Sequence, residues 1–283
     1  MPEFSLRPVT SDDAALAKLA ELFGATWSDQ PHLDLAYLRW LYRDNPRGPV
    51  IGFNAWVGGN VAGHYAVIPI LALHEGETRH AALSLNTAVH PEHQGKGLFT
   101  RLAADTYALA ARQGVHHVVG VANANSSHGF TQKLGFQLIS PLKARFVSTP
   151  PREPAATAAW EQAWSPEVYR WRLARPHARY RWSRLHGSLC WWSATHVHGI
   201  QALMQYGVSP PYDELLRAGV PRGGWNPLRM WIGLEPEHEP RGFDLPAALR
   251  RSPLNLIFKP LQGGAAMPDP RHVRFSLADF DAY

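Results

Sequence analysis

One cysteine, Cys190, is all that the chain of 283 residues carries, so no internal disulfide can form and no Cys/His cluster of zinc-finger spacing exists. A reducing, cytoplasmic compartment and no metal are the expectations that follow. Charge is scarce as well: Asp, Glu, Lys and Arg make up 18%, against roughly 25% in an average soluble domain, while 45% of the chain is hydrophobic. That balance provides for a packed interior and excludes a disordered chain. Long apolar runs are missing. The most apolar stretch, around Ala66 to Leu73, contains Pro69 and falls far short of the roughly 20 residues that cross a bilayer. Glu3, Arg7, Asp12 and Asp13 stand where a signal peptide would carry a basic region and an apolar core, so no membrane association is expected.

What is present is glycine (23) and proline (24), which favour turns and short strands over the long helices of a coiled coil. Lys and Arg give a net charge of +5, enough to favour an anionic ligand but too dispersed to specify nucleic acid. The length suits two modest domains. Ser11-Asp12-Asp13 precede Leu16, Leu19, Leu22 and Phe23, whose spacing predicts an amphipathic helix ending near Gly24, and a second helix is expected over 34–43. Residues 51–57 and 61–70 flank Gly58-Gly59-Asn60 as a hairpin, and 71–74 and 80–89 flank Glu75-Gly76-Glu77. Ser148 to Pro154 has no periodicity and reads as a linker. Beyond it, Arg170-Trp171 before Pro176 echoes Arg39-Trp40 before Pro46, which suggests a duplicated fold.

Between the strand ending in Val89 and the helix beginning near Phe99 stands Gln94-Gly95-Lys96-Gly97. Glycines at such a junction let backbone N–H groups approach a phosphate at a helix N-terminus, although an ordinary strand-to-helix turn uses the same two glycines. A helix closed by Gly114, an apolar strand at 115–121, a helix after Asn123 and the closing Leu134-Gly135-Phe136 complete an α/β unit. Arg170, Arg172, Arg175, Arg179, Arg181 and Arg184 interleave with Trp171, Tyr180 and Trp182, a mixture that either stacks a nucleotide base or forms a solvated basic face over buried aromatics.

The stretch from Leu83 to Phe136, with Gln94-Gly95-Lys96-Gly97 at its centre, resembles the GCN5-related N-acetyltransferase (GNAT) family over roughly residues 1–147. The resemblance implies an α/β (α+β) fold in tandem, each copy a mixed, mostly antiparallel sheet flanked by helices. Residues 1–148 would bind acyl-CoA, and 155–283, a degenerate copy without the glycine loop, would complete the acceptor site. Ala88 and Val89 would bind pantetheine and polarise the thioester carbonyl. Gln94, Gly95, Lys96, Gly97, Leu98, Phe99 and Thr100 would hold the pyrophosphate, and Asn125 would contact the cofactor. Phe99 replaces the family's small residue, and Thr131 stands where a Tyr often protonates the thiolate.

For the base, the resemblance leaves Asn86, His64 and His128 as the catalytic candidates, with His90, His93 and Ser126 nearby. It implies acetyl-CoA or another acyl-CoA as donor and a primary amine as acceptor: a nucleotide-linked amino sugar, another small amine, an amino acid or a protein amine. A non-catalytic acyl-CoA sensor is the alternative.

Overall fold

Asp12 opens the first helix of this computed structural model, its carboxylate accepting the Ala15 N–H at 3.0 Å, and Leu16, Leu19, Leu22 and Phe23 form the buried face of α1 (Asp13–Thr26). The structure describes all residues except 1–2, 29, 31, 148–157, 186–187, 196, 198, 207–211, 225–227, 238, 247–251 and 281–283. The expected linker, Ser148 to Pro154, lies outside the described residues. Asp34 caps α2 (Leu35–Leu38), which loosens into a π-turn over Arg39–Arg43, with Asp44 N–H reaching back to the Arg39 carbonyl. The single helix expected over 34–43 is therefore two kinds of helix. Among the described residues no helix is long and apolar enough to cross a membrane.

β1 (Ser5–Pro8), β2 (Ile51–Val57), β3 (Asn60–His74) and β4 (Glu77–Val89) pair antiparallel in chain order. Both tight turns use two left-handed residues, Gly58-Gly59 and Glu75-Gly76, the geometry that matches the twist of a two-residue hairpin. α3 (Leu98–Arg112) then crosses over, and β5 (His117–Ala122) returns parallel to β4. α4 (Ala124–His128), a second π-turn at Gly129–Lys133, β6 (Gln137–Pro141) and β7 (Lys143–Val147) follow. The later elements are β8 (Trp160–Gln162), α5 (Pro166–Leu173), β9 (Tyr180–Leu185), β10 (Ser188–Ala194), β11 (Gln201–Tyr206), α6 (Tyr212–Arg217), β12 (Arg229–Leu234), β13 (Gly242–Asp244), β14 (Asn255–Pro260) and β15 (Phe275–Ser276).

Two sheets result, ordered β1-β2-β3-β4-β5-β14-β6 and β9-β10-β11-β12-β7-β13, with β8 beside β3 and β15 beside β12. Each contains one parallel pair, β4 with β5 and β11 with β12, and is otherwise antiparallel. Aligned on that pair, the sheets have the same order except that β1 has no counterpart among the described residues, with one reciprocal exchange: β14 fills in the first sheet the place that β7 fills in the second. The halves expected at 1–148 and 155–283 thus trade a strand each, because the backbone edges of β5 and β12 are satisfied by the other half.

Matching residues meet at the joint. Trp40 and Trp171, 131 residues apart, stack at 4.8 Å and 13°, and each indole N–H donates to the other's backbone carbonyl, at 2.6 and 2.7 Å. At the same offset Asp34 caps α2 and Ser165 caps α5. Arg172 is buried against both indoles. In the arginine-rich segment Arg179 and Arg181 alternate as exposed residues with buried Tyr180 and Trp182, and Arg184 is exposed after the buried Ser183, so the aromatics there are packed inside. Cys190 is buried, and burial pushes its thiol up to about 12.

Candidate active site

The parallel ladder between β4 and β5 ends at Ser84 opposite Gly120, yet β4 runs on to Val89 and β5 to Ala122. What parts them is a bulge. Asn86 adopts φ +51°, the β3–β4 register shifts between His64 and Ala66, and the rest of β4 is redirected. Beyond Ser84 no strand bridges the two among the described residues. The outer backbone edge of Leu85 to Val89, which includes the predicted Ala88 and Val89, therefore faces an opening.

At the same end lies the glycine loop. A short 3₁₀ turn, Pro91–His93, leads to Gly95 at φ +75° and Gly97 at φ +72°, the latter the N-cap of α3. A Cβ on either glycine would meet nothing within 4 Å, so the space over both is open. The N–H groups of the first helical turn, Leu98, Phe99 and Thr100, have no intrahelical acceptor, and the dipole favours an anion there. Gln94 ties the loop to β4 through Nε2–H to the Val89 carbonyl at 3.3 Å, and Lys96 Nζ is anchored on the Glu92 carbonyl at 3.0 Å. The Thr100 hydroxyl donates to the Gly97 carbonyl at 2.9 Å, and the Leu98 side chain is buried under the helix. These two offer the opening their backbone only. Phe99 does not crowd the helix: its ring lies against Gly129, where a Cβ would be 3.2 Å away, and meets Phe130 and Tyr65 edge-on.

Of the candidate catalytic residues, His64 and Asn86 both lie beside Tyr42, and His128 stands on α4. His64 is fully buried, its Nδ1 2.7 Å from Asn54 Oδ1 and its Nε2 2.9 Å from Tyr42 Oη, and burial pushes it down to about 3. It is a neutral imidazole held between Asn54 and Tyr42. His128 is exposed on α4. Asn86 is half-buried on the bulge, and its Nδ2 is buried with no hydrogen-bond partner. Asn125 is exposed in the first turn of α4, where Asn123 and Ser126 form a capping box. The Thr131 hydroxyl donates to the Ser127 carbonyl at 2.9 Å.

Sequence reasoning missed three contributors. Tyr42, presented by the π-turn, is fully buried, and that desolvation raises its phenol well above the ordinary range, opposed by the neighbouring Asn86 amide, which lowers it. Tyr65 links Ser84, the last residue of the parallel ladder, at 2.9 Å to Tyr107 on α3. The third comes from the other half: Ser252 Oγ accepts the Ala124 N–H at 2.8 Å, and Asn255 Nδ2 donates to Ser127 Oγ at 2.9 Å, so the C-terminal strand clamps α4. Only the bulge carries a local signal, an Asn in a run of strand-forming residues.

The equivalent opening in the second sheet is filled. β11 and β12 pair over Gln201–Leu203, and beyond that point β15 bonds to Gly233 and Leu234 while Ala278 N–H donates to the Met204 carbonyl at 3.2 Å. Phe275, Leu277 and Ala278 are buried in the wedge. A Cβ at Gly233 would sit 2.2 Å from the Phe275 carbonyl, so glycine there admits the strap.

Residues 5–139 match the acetyltransferase (GNAT) domain family. No curated protein matches the chain. Among solved structures, a GCN5-related N-acetyltransferase from Anabaena variabilis matches with a TM-score of 0.57 at 12% identity, covering 91% of this chain and 73% of its own. The N-myristoyltransferase of Saccharomyces cerevisiae with bound myristoyl-CoA gives 0.56 at 8%, covering 92% and 79%. A probable N-acyltransferase from Enterococcus faecalis gives 0.53 at 11%, covering 91% and 71%. Likeness at these identities extends the shared fold across both sheets.

Proposed function

Because this chain carries a GNAT acetyltransferase domain over residues 5–139, we propose that it transfers an acyl group from acyl-CoA to a primary amine, by direct attack in a ternary complex, in the cytoplasm. One observation carries the reading: β4 and β5 part at the end of the sheet where two left-handed glycines expose the N-terminus of α3. The residues there fit such a donor. The first-turn N–H groups of α3 and the N–H groups of the glycine loop would bind its phosphates. The unpaired edge of β4 around Ala88 and Val89 would bind the pantetheine amides and stabilise the oxyanion as the amine attacks. Acyl-CoA, when bound, supplies the thioester, and a thiol pKa near 8.5 lets the thiolate leave without a proton.

Asn86, on the bulge beside Tyr42, would position the acceptor. His64 would act only by orienting Tyr42. His128 and Asn125 lie on the rim.

Calorimetry with CoA and acetyl-CoA tests the donor, with micromolar binding expected and no heat sinking the reading. Thiol release across nucleotide-linked amino sugars, aminoglycosides, amino acids and peptides then identifies the acceptor. Thr131, with its hydroxyl committed to Ser127, favours a second reading, a non-catalytic acyl-CoA sensor. Turnover with any amine in that panel removes it.

A further inference from the structure

We propose that His74, His116 and His117 form a binding site for one divalent transition-metal ion of the zinc class, at the end of the first sheet opposite the glycine loop. A single cysteine and no Cys/His cluster point away from a metal, but sheet pairing gathers imidazoles that no sequence motif links. His74 closes β3, and His116 and His117 stand at the start of β5. Each ring offers one nitrogen, and the three nitrogens lie within 4.8 Å of one another. Tetrahedral bonds of ~2.0–2.1 Å place nitrogen ligands roughly 3.3 Å apart, so modest ring rotations complete the geometry.

A second observation points to a ligand. His74 is 3% exposed, and its Nε2 is buried with no hydrogen-bond partner, an arrangement that folded proteins avoid unless something else occupies the position. His117 is fully buried, whereas His116 is half-buried and leaves a way in from solvent. Burial pushes His117 down to about 3 and holds His74 and His116 below the ordinary imidazole range. Of the nearby charges, Glu75 attracts a cation, and Arg79, which opposes one, is paired with Glu77.

Trp160 constrains how the site can load. Its indole N–H, a donor only, bonds to His117 Nε2 at 3.0 Å, so the His117 proton resides on Nδ1, 3.0 Å from His116 Nδ1. Coordination through His117 Nδ1 moves that proton to Nε2, where it faces the indole N–H, and Trp160 gives up the bond. The count of protons on the rings is unchanged. The other candidate group, His90, Glu92 and His93, is less suited to a cation because Lys96 Nζ lies 3.2 Å from His93 Nδ1. From the cofactor end of β5 the three imidazoles are about 17 Å away at ~3.3 Å per residue, so the ion would pin the β3–β4 hairpin to β5 rather than take part in transfer.

The test is calorimetric titration of the chelator-treated full chain with zinc chloride, beside His74→Ala, His116→Ala and His93→Ala. One zinc per chain at micromolar affinity or better is expected, at least tenfold weaker in His74→Ala and His116→Ala and unchanged in His93→Ala. Zinc should raise Tm and alter the near-ultraviolet circular dichroism of the tryptophans, and His116→Ala should abolish both effects. If His74→Ala fails to fold, His116→Ala, at a half-exposed position, decides alone. Absence of saturable zinc, or binding that survives His116→Ala, overturns the proposal.

Discussion

Gly97 holds a left-handed backbone that an L-residue enters at about 1–2 kcal/mol, and it does so at the N-terminus of α3, where the proposed donor's phosphates would lie. Gly97→Asp adds both that strain and a negative charge beside the phosphate position, so CoA affinity should fall at least tenfold in a calorimetric titration. Unchanged affinity would show that the loop is only a turn. Thr131→Ala should leave thiol-release rates within a few-fold, because the hydroxyl already serves the Ser127 carbonyl; a hundredfold loss would make it the acid after all. His64 has a pH consequence. Its folded pKa, about 3, lies below its ordinary 6.5, so the unfolded chain binds more protons as pH falls. The stability it contributes is whole above 6.5 and is lost progressively toward 3, at up to about 1.4 kcal/mol per pH unit. His64→Gln should flatten the decline of urea midpoints between pH 6.5 and 4, and an unaltered slope would mean that other groups, such as His117, carry it.

Among the elements, β4 decides where the site is, and its bulge can be tested directly. Asn86→Val puts a β-branched residue at φ +51°, and a loss of about 1–2 kcal/mol is expected in denaturant unfolding, whereas Asn86→Gly should keep the fold and lose acceptor turnover. Equal stability of the two variants would show that the bulge is not what holds β4 in place. The helices and strands of the first half were legible because their patterns are local: the spacing of Leu16, Leu19, Leu22 and Phe23, the double glycines of a tight turn, the strand-loop-helix order around Gln94. The π-turns were not, since apolar spacing does not distinguish a hydrogen bond reaching four residues back from one reaching five. Nor could the sequence reveal that Phe99 is accommodated, because the space it needs is an absent side chain thirty residues on, at Gly129. Ser252 and Asn255 at the wall of the opening escaped for the same reason: their partners are 128 positions away.

For the whole molecule, the reciprocal exchange of β7 and β14 makes the two halves one unit of stability. A chain ending at residue 148 lacks the strand between β5 and β6, so its first sheet would present raw backbone edges, and it should be aggregated or unfolded by circular dichroism. Cooperative melting of that fragment would show the exchange to be dispensable. With β15 wedged into the second sheet, one parting of parallel strands is left open among the described residues, so CoA should bind with a stoichiometry of one per chain. The order in which the chain is made adds another consequence. A ribosome delivers β5 and β6 long before β14, which means that the half proposed to bind the donor waits, incomplete, through the synthesis of most of its counterpart. Quality control during translation, whether by chaperones or proteases, would therefore meet this protein as a nearly full-length chain with an unpaired strand, and a premature stop anywhere before residue 255 would leave nothing able to bind the donor.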